Sequence, residues 1–585
     1  METTNKISCN ILISLLKEHG VSNSVISPGS RNAPIVVALA RCKEINKTVV
    51  IDERSAAFIA LGMASISSKP VALICTSGSA LLNYAPAIAE AYYRQLPLIV
   101  ISADRPIEWI DQDDSQTIRQ YEALSNYVKN SYNIPTECTS ETMRWYVNRI
   151  VNDALLTATS GRKAPVHINI QLDEPLNKFH TLKNNHERVV ELISPQNTLS
   201  ENIVSTLSEV IGSAQKVLII AGFMQPCNNL NKALQSLAKC NNIAILTENI
   251  SNLSADSFIS SIDRTLSIIS ETEKKCITPD IVITLGGALV SRHIKHFLRT
   301  NKPHEHWHIG ISDTTIDCFT ALTKRINVPP TEFFCQMDNK IKSLRIGDST
   351  HSNYSLIWRN YSLKSKELHD HFVDKVGWSD LKAFNIIFSH IPKNWNIQIS
   401  NGTSIRYSQL FDTTCFNRID CNRGVSGIDG CTSTAIGASL VCNDTTLLIT
   451  GDMSAQYDIN ALSVSAITSK FKMIVINNSG GGIFRFINST SDLPELEEYF
   501  ATKPKLPLPE LAKGYGFNFY DASDADELEQ IFSLFINDNS KPAILRVNTP
   551  AKKSTEILRN YKNWDWLDIS LSLIVNIKHL NVWRI

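Results

Sequence analysis

Thr446-Leu447-Leu448-Ile449-Thr450-Gly451-Asp452-Met453 and, further on, Met473-Ile474-Val475-Ile476-Asn477-Asn478-Ser479-Gly480 decide how this chain reads. Both runs are short, apolar and β-branched, the pattern of parallel strands buried on both faces. The amphipathic stretch Tyr457–Lys470 between them predicts a crossover helix, hence a right-handed βαβ unit. Each strand then ends on polar residues at its carboxyl end, the edge at which open α/β sheets bind ligands. Asp452 offers a carboxylate there and Asn478 a carboxamide, and Gly480–Gly482 let the backbone come close. Such hard oxygen donors suit Mg²⁺, which completes its shell with phosphate and water, so the bridged ligand reads as a diphosphate. Alone, Gly-Asp is more often a helix cap and Asn-Asn a turn. Their pairing at the ends of successive strands favours the metal-diphosphate reading.

The same alternation spreads outward. Val71–Cys75, Leu98–Ser102, Lys216–Ile220 and Ile281–Leu285 read as further buried strands, with helical stretches such as Leu81–Arg94 and Asn229–Lys239 between them. The fold class is α/β, with three doubly wound parallel-sheet domains. A chain of 585 residues suits about three cores. The expected domains are 1–185, 200–338 and 370–585, separated by the polar segment Glu174–Ser200 and a mixed stretch around 339–370. No short-period repeat is visible, although the blocks share a β/α character. The tail Asn563–Ile585 reads as a helix and a strand without a functional signal.

Composition excludes several classes. Formal charge is zero and no dense Lys/Arg block appears, which argues against nucleic acid as a partner. No apolar run reaches the roughly 18–20 residues of a membrane span. The polar start, Met1–Asn10, lacks a signal-peptide core, so a cytoplasmic location is expected. The thirteen cysteines are scattered without a C-x-x-C pair, and reduced thiols are expected rather than disulfides or zinc ligands.

The Gly451-Asp452 and Asn477-Asn478 pairing resembles the fingerprint of thiamine diphosphate (ThDP) enzymes, with Met453 where a third Gly is usual. The resemblance implies a ThDP-binding fold, and it implies Asp452, Asn478 and the Gly480 carbonyl as ligands of Mg²⁺ or Mn²⁺. ThDP must lose a ring proton to react, and an acid on another domain must hold its aminopyrimidine for that. Glu53 fits, in Ile51-Asp52-Glu53-Arg54-Ser55, where an apolar strand Val49–Ile51 ends in an acidic turn and opens a small-residue helix. Taken alone, Glu53 would be an acid favoured at a helix N-terminus. In this class the two halves of the cofactor site come from different chains, which implies a homodimer or homotetramer.

Arginines point to the substrates. Ser27-Pro28-Gly29-Ser30-Arg31-Asn32 and Ala103-Asp104-Arg105-Pro106 each follow a strand, Ser24–Ile26 and Leu98–Ser102. Ser115-Gln116-Thr117 lies beyond, and the third block adds Arg406 and Asn422-Arg423-Gly424-Val425-Ser426-Gly427-Ile428-Asp429-Gly430. Several arginines about one cofactor suit substrates with several carboxylates. Each one alone could equally make an ion pair.

Together these segments closely resemble the 2-succinyl-5-enolpyruvyl-6-hydroxy-3-cyclohexene-1-carboxylate synthase family, over nearly the whole chain. That family decarboxylates 2-oxoglutarate and adds the remaining fragment to isochorismate, in menaquinone or phylloquinone biosynthesis. The resemblance implies Glu53 as the cofactor-activating acid. It implies Ser30, Arg31, Arg105, Gln116, Arg406 and Arg423 as substrate-contacting or active-site polar groups. Ile428 matches the wedge beneath the bent cofactor, and Ile483 and Phe484 match the apolar wall beside it. Gly286-Gly287-Ala288-Leu289-Val290-Ser291-Arg292 resembles the segment that enters the isochorismate pocket. Ser115 stands for the usual Asn, Ser291 for the usual Lys and Gly402 for a frequent Ser; Lys295 lies a helical turn beyond Arg292. Two rivals remain at this point: another ThDP carboligase such as an acetolactate synthase, and a non-catalytic protein of the same fold.

Overall fold

Runs of Val, Ile and Leu apolar on both faces build three parallel sheets in the computed structural model, which describes residues 2–181, 187–344, 352–487 and 489–563. The first sheet runs Asn46–Val49, Asn23–Ile26, Val71–Cys75, Leu98–Asp104, Val166–Gln171, Ser131–Ile134. The third runs Arg418–Asp420, Asn396–Ile399, Thr446–Gly451, Phe471–Asn477, Ala543–Asn548, Asn518–Ala522. Numbered along the chain, both have the order 2-1-3-4-6-5, so topology repeats where no sequence period is visible. The middle sheet, Ile243–Thr247, Val217–Ala221, Ile281–Leu285, Glu305–Ile309, Leu322–Ile326, has the order 2-1-3-4-5. Strand order reverses between the first and third strands of each sheet, which opens a crevice at their carboxyl ends. In the third sheet that crevice lies between Ile399 and Gly451.

Three expected elements differ. Tyr457–Lys470 is not one helix: a helix Asp452–Tyr457 and a 3-10 turn Ile459–Ser463 precede an irregular stretch. Asp458 turns inward to accept from Ser433 N and Oγ at 2.6 and 2.8 Å, which breaks the helix. Ser- and β-branched-rich Ser463–Thr468 then gives little helical propensity to restart it. Leu81–Arg94 is two helices, Ser79–Asn83 and Ala85–Tyr93, because Pro86 has no N–H to continue the ladder and sits instead in the first turn of the second. The strand before Glu53 is Asn46–Val49 rather than Val49–Ile51; Val49 is the last residue paired with the neighbouring strand. Helix Tyr354–Lys375 joins the second and third blocks, packing Tyr354 and Trp358 on the middle core and Val373 on the third. The expected helix and strand in 563–585 lie outside the described residues beyond Asn563.

The first and third domains meet through two helices, Glu53–Ser67 and Cys431–Ser439. Their backbones nearly touch. A Cβ on Gly62 would lie 2.0 Å from the Thr434 carbonyl oxygen, and one on Gly437 would lie 2.0 Å from that of Ile59. Gly437→Ala is therefore expected to destabilise the protein by about 1–3 kcal/mol, the usual cost of overpacking. A lowered denaturant midpoint would register it; an unchanged midpoint would mean that the helices separate freely. Among the described residues no helix is long and apolar enough to cross a membrane.

Candidate active site

Strand Thr446–Gly451 delivers Asp452 to the carboxyl edge as the first residue of a short helix, and the side chain is buried. Its Oδ1 accepts from Met453 N at 2.8 Å and its Oδ2 from Gly480 N at 2.9 Å. Burial pushes the carboxyl up to about 6 against those two N–H groups, and the nearby Asp380 charge adds to the rise. Asn478, one residue beyond strand Phe471–Asn477, donates its Nδ2 to Asp380 Oδ2 at 2.9 Å. That bond fixes the amide, so Oδ1 is the face left to accept. Gly480 has φ +118°, and a Cβ there would lie 1.8 Å from the Ala501 carbonyl, so only glycine fits. Its own carbonyl accepts from Gly482 N at 2.7 Å around Gly481 at φ −65°, ψ 73°, an inverse γ-turn that leaves one lone pair.

These donors fit a hard divalent cation. A carboxylate, an amide oxygen and a carbonyl lie on adjoining segments here, and phosphate and water would complete such a shell. Asp380 is a residue that sequence reading missed. It lies at the start of helix Asp380–His390, is wholly buried, and also accepts from Thr549 Oγ1 at 2.5 Å. In sequence it reads only as a residue after a helix cap. Ile428 lies beside this corner, its carbonyl accepting from Ser454 Oγ at 2.7 Å. Ile483 and Phe484 form the 3-10 turn Gly482–Arg485 that follows the glycines, and Phe484 packs on Phe500.

The arginines fall into two groups. Arg406 is on helix Ser404–Ser408, which Thr403 starts; a Cβ on Gly482 would lie 3.6 Å from Thr403 Cγ2, so this helix begins beside the glycine turn. Burial, then the charges of Arg292 and Arg423, hold Arg406 down to about 10. Arg423 donates to Asn401 Oδ1 at 2.9 Å and reaches Leu289 O at 3.5 Å, and its Nε is buried without a partner. Thus the middle-domain segment Gly286–Arg292 does arrive at the cluster. Lys295 donates to the same Leu289 carbonyl at 2.8 Å. Burial, with Arg423 adding, lowers its pKa against the opposing charge of Glu248. Three guanidinium groups and an ammonium gathered this way are suited to anions such as carboxylates.

The second group belongs to the first domain. Arg31 is buried, donates to Leu172 O at 3.0 Å and pairs with Glu174 at 3.3 Å. Burial and then Arg105 lower its pKa. Arg105 holds Ser115 O through Nε and Nη2 at 2.9 and 2.7 Å, which positions the exposed Gln116, itself at φ 55°. Gln120 ties the same loop to Gly78 N and Ala103 O. Ser30 is exposed at the adjoining turn. Glu53 opens helix Glu53–Ser67 behind the Asp52 cap, half-buried near Cys75 and Tyr84. Among the described residues no hydrogen bond or ion pair engages its carboxylate, and none joins Glu53, Arg31 or Arg105 to Arg406, Arg423, Asp452 or Asn478.

Family models match in three places. They are a thiamine pyrophosphate enzyme N-terminal TPP binding domain over 9–123, a middle domain of thiamine pyrophosphate over 188–373, and a thiamine pyrophosphate enzyme C-terminal TPP binding domain over 408–547. The chain is 39% identical over 561 residues to a 2-succinyl-5-enolpyruvyl-6-hydroxy-3-cyclohexene-1-carboxylate synthase of Porphyromonas gingivalis, covering 95% of this chain and 97% of that protein. It belongs to that synthase family. A synthase of the same name from Flavobacterium johnsoniae is 40% identical over 94% of this chain and 97% of its own, and one from Phocaeicola vulgatus 35% over the same shares. The expected family, three-domain α/β fold and ThDP-dependent enzyme class are borne out.

The residues read from the sequence as departures from the resemblance each make defined contacts in this chain. Ser291 caps helix Arg292–Thr300 by accepting from Ile294 N at 3.1 Å, and it donates to Asp263. Lys295 returns a positive charge to the same surface one turn on. Gly402, at φ +95°, presents its carbonyl to Arg406 Nη1 at 2.6 Å. Met453 supplies the N–H that Asp452 Oδ1 accepts.

Proposed function

We propose that this chain decarboxylates 2-oxoglutarate and adds the remaining four-carbon fragment to isochorismate, giving 2-succinyl-5-enolpyruvyl-6-hydroxy-3-cyclohexene-1-carboxylate in menaquinone or phylloquinone biosynthesis. The observation that carries this reading is the Arg292–Arg406–Arg423 cluster beside the Asp452–Asn478 corner. The two substrates bring four carboxylates, and guanidinium groups are the side chains best shaped for them.

The chemistry that bound ThDP supplies is stabilisation of a carbanion on the decarboxylated 2-oxo acid. The chain's own residues do the rest. Asp452, Asn478 and the Gly480 carbonyl hold Mg²⁺, or Mn²⁺ in its place, against the diphosphate. Ile428, Ile483 and Phe484 give the cofactor ring an apolar, water-poor wall. Glu53 holds the proton on the aminopyrimidine. Arg31, Arg105, Arg292, Arg406 and Arg423 seat carboxylates, and Ser30 and Gln116 add neutral hydrogen bonds.

Each chain carries two half-sites, Glu53 with Arg31 and Arg105 on one side and the metal corner with its arginine cluster on the other. A second copy would join them, as a homodimer or within a homotetramer. Val49, Ile51, Leu82 and Tyr457 expose apolar surface on segments around Glu53, which suits such a contact. The reading places the enzyme in the cytoplasm. Loss of isochorismate should require 2-oxoglutarate, ThDP and Mg²⁺ together when each is omitted in turn. Decarboxylation of 2-oxoglutarate that leaves isochorismate untouched would refute the acceptor. Sedimentation as a monomer at micromolar concentration would refute the shared site.

A further inference from the structure

Two buried glutamates outside the residues assigned above share one geometry. Glu90, on helix Ala85–Tyr93 of the first domain, accepts from Gly424 N at 2.8 Å and from Val425 N at 2.7 Å, one bond to each carboxylate oxygen. Glu248, at the end of strand Ile243–Thr247 of the middle domain, accepts from Val290 N at 2.8 Å and Ser291 N at 2.7 Å in the same way. The first pair of N–H groups directly follows Arg423, and the second directly precedes Arg292. Successive backbone N–H groups form a concavity that binds anions. In both loops that concavity is filled by a carboxylate from another element, and the arginine beside it belongs to the cluster; Arg423 is held by Asn401 Oδ1 and Leu289 O and keeps its Nε unpartnered.

The fit at Glu90 is close on every side. A Cβ on Gly424 would lie 2.6 Å from the Glu90 carbonyl oxygen and 3.0 Å from its Oε2. Arg94, which caps the C-terminal end of the same helix, donates to Asn422 Oδ1 at 2.9 Å and to Ser65 Oγ at 2.9 Å. Its guanidinium packs over Phe223 at 4.7 Å. The residues before and after Arg423 are therefore both held by one helix of the first domain. Leu289 O, which Arg423 reaches, belongs to the loop that Glu248 holds.

We infer that Glu90 and Glu248 are positioning residues for substrate recognition, each clamping from another element the loop that carries one arginine of the cluster. This rests on the reading of that cluster as the carboxylate site. Glu90→Gln keeps size but turns an N–H donor toward one of the two backbone donors. Its KM for one of the two substrates is expected to rise about tenfold or more, with a smaller fall in kcat. Arg423→Gln should raise KM for the same substrate, and the double variant should be no worse than Arg423→Gln alone, because residues acting as a unit are not additive. Additive losses would mean that Glu90 serves the fold only and would overturn the inference. No KM effect from Arg423→Gln would instead refute the reading of the cluster. If Glu90→Gln does not fold, the Glu248→Gln and Arg292→Gln cycle decides by the same criterion: non-additive losses support the clamp and additive ones overturn it.

Discussion

Replacing Glu53 with Gln is expected to lower kcat by about 10²–10⁴-fold, the range of a lost general acid–base group. Fold and ThDP affinity should stay near those of the parent. The reason lies in what the carboxylate does not do within its own chain. Asp52, not Glu53, caps the helix, accepting from Ser55 N at 3.2 Å. Among the described residues the Glu53 carboxylate makes no hydrogen bond or ion pair, so neutralising it removes no contact that the fold uses. A half-buried acid at a helix start with nothing to hold is poised to serve a ligand. The measurement is turnover at saturating substrates beside a circular dichroism melt and a ThDP titration by intrinsic fluorescence. A variant that folds, binds ThDP and turns over within a few-fold of the parent would remove Glu53 from the mechanism.

The fold was legible because buried parallel strands leave a strong signal. Ile281–Leu285 needs no correction, and Val217–Ala221 and Phe471–Asn477 differ from expectation by one or two residues at their ends. Helices were less legible where a tertiary contact overrode local pattern, as at Asp458, drawn onto Ser433. The shared 2-1-3-4-6-5 order of the outer sheets leaves no sequence period, because topology constrains only which stretches are apolar. In the candidate site, Asp452, Asn478 and the arginines could be proposed because each belongs to a short motif in the segment that follows a strand. Asp380, Glu90 and Glu248 could not. Each acts on a group distant in sequence: Asp380 on Asn478, Glu90 on Gly424 and Val425, Glu248 on Val290 and Ser291. A buried carboxylate that holds backbone has no local signature, since any helix or strand end can carry an acid. Lys295 was legible only as a charge in the right period, and its contact with Leu289 depends on a loop that sequence does not draw.

Asp452→Asn is expected to weaken metal-dependent ThDP binding by more than about 100-fold. That exceeds the roughly 10–100-fold cost of altering an outer partner of a metal ligand, which is the loss expected for Asp380→Asn. Both carboxylates are buried and the Asp380 charge raises the Asp452 pKa, so like charges lie near one another at this corner, offset in part by Arg485, and a divalent cation would offset them further. Removing one charge therefore acts in opposite directions on the two states. Without cofactor, the neutral amide of the variant relieves that repulsion but gives up one of the two N–H bonds from Met453 and Gly480, worth about 1 kcal/mol, and net stability should change little. With cofactor the difference is large. At ThDP a hundredfold above its dissociation constant the parent gains about 2.7 kcal/mol, whereas a hundredfold weaker variant gains only about 0.4 kcal/mol. Asp380→Asn, tenfold weaker, would keep about 1.4 kcal/mol of that gain. Thermal or denaturant midpoints with and without ThDP and Mg²⁺ read all three proteins without any assay of turnover. An Asp452→Asn protein that keeps the parent's full ThDP-dependent shift would show that the cation is held elsewhere. Equal losses in the two variants would put Asp380 on the metal itself rather than behind Asn478.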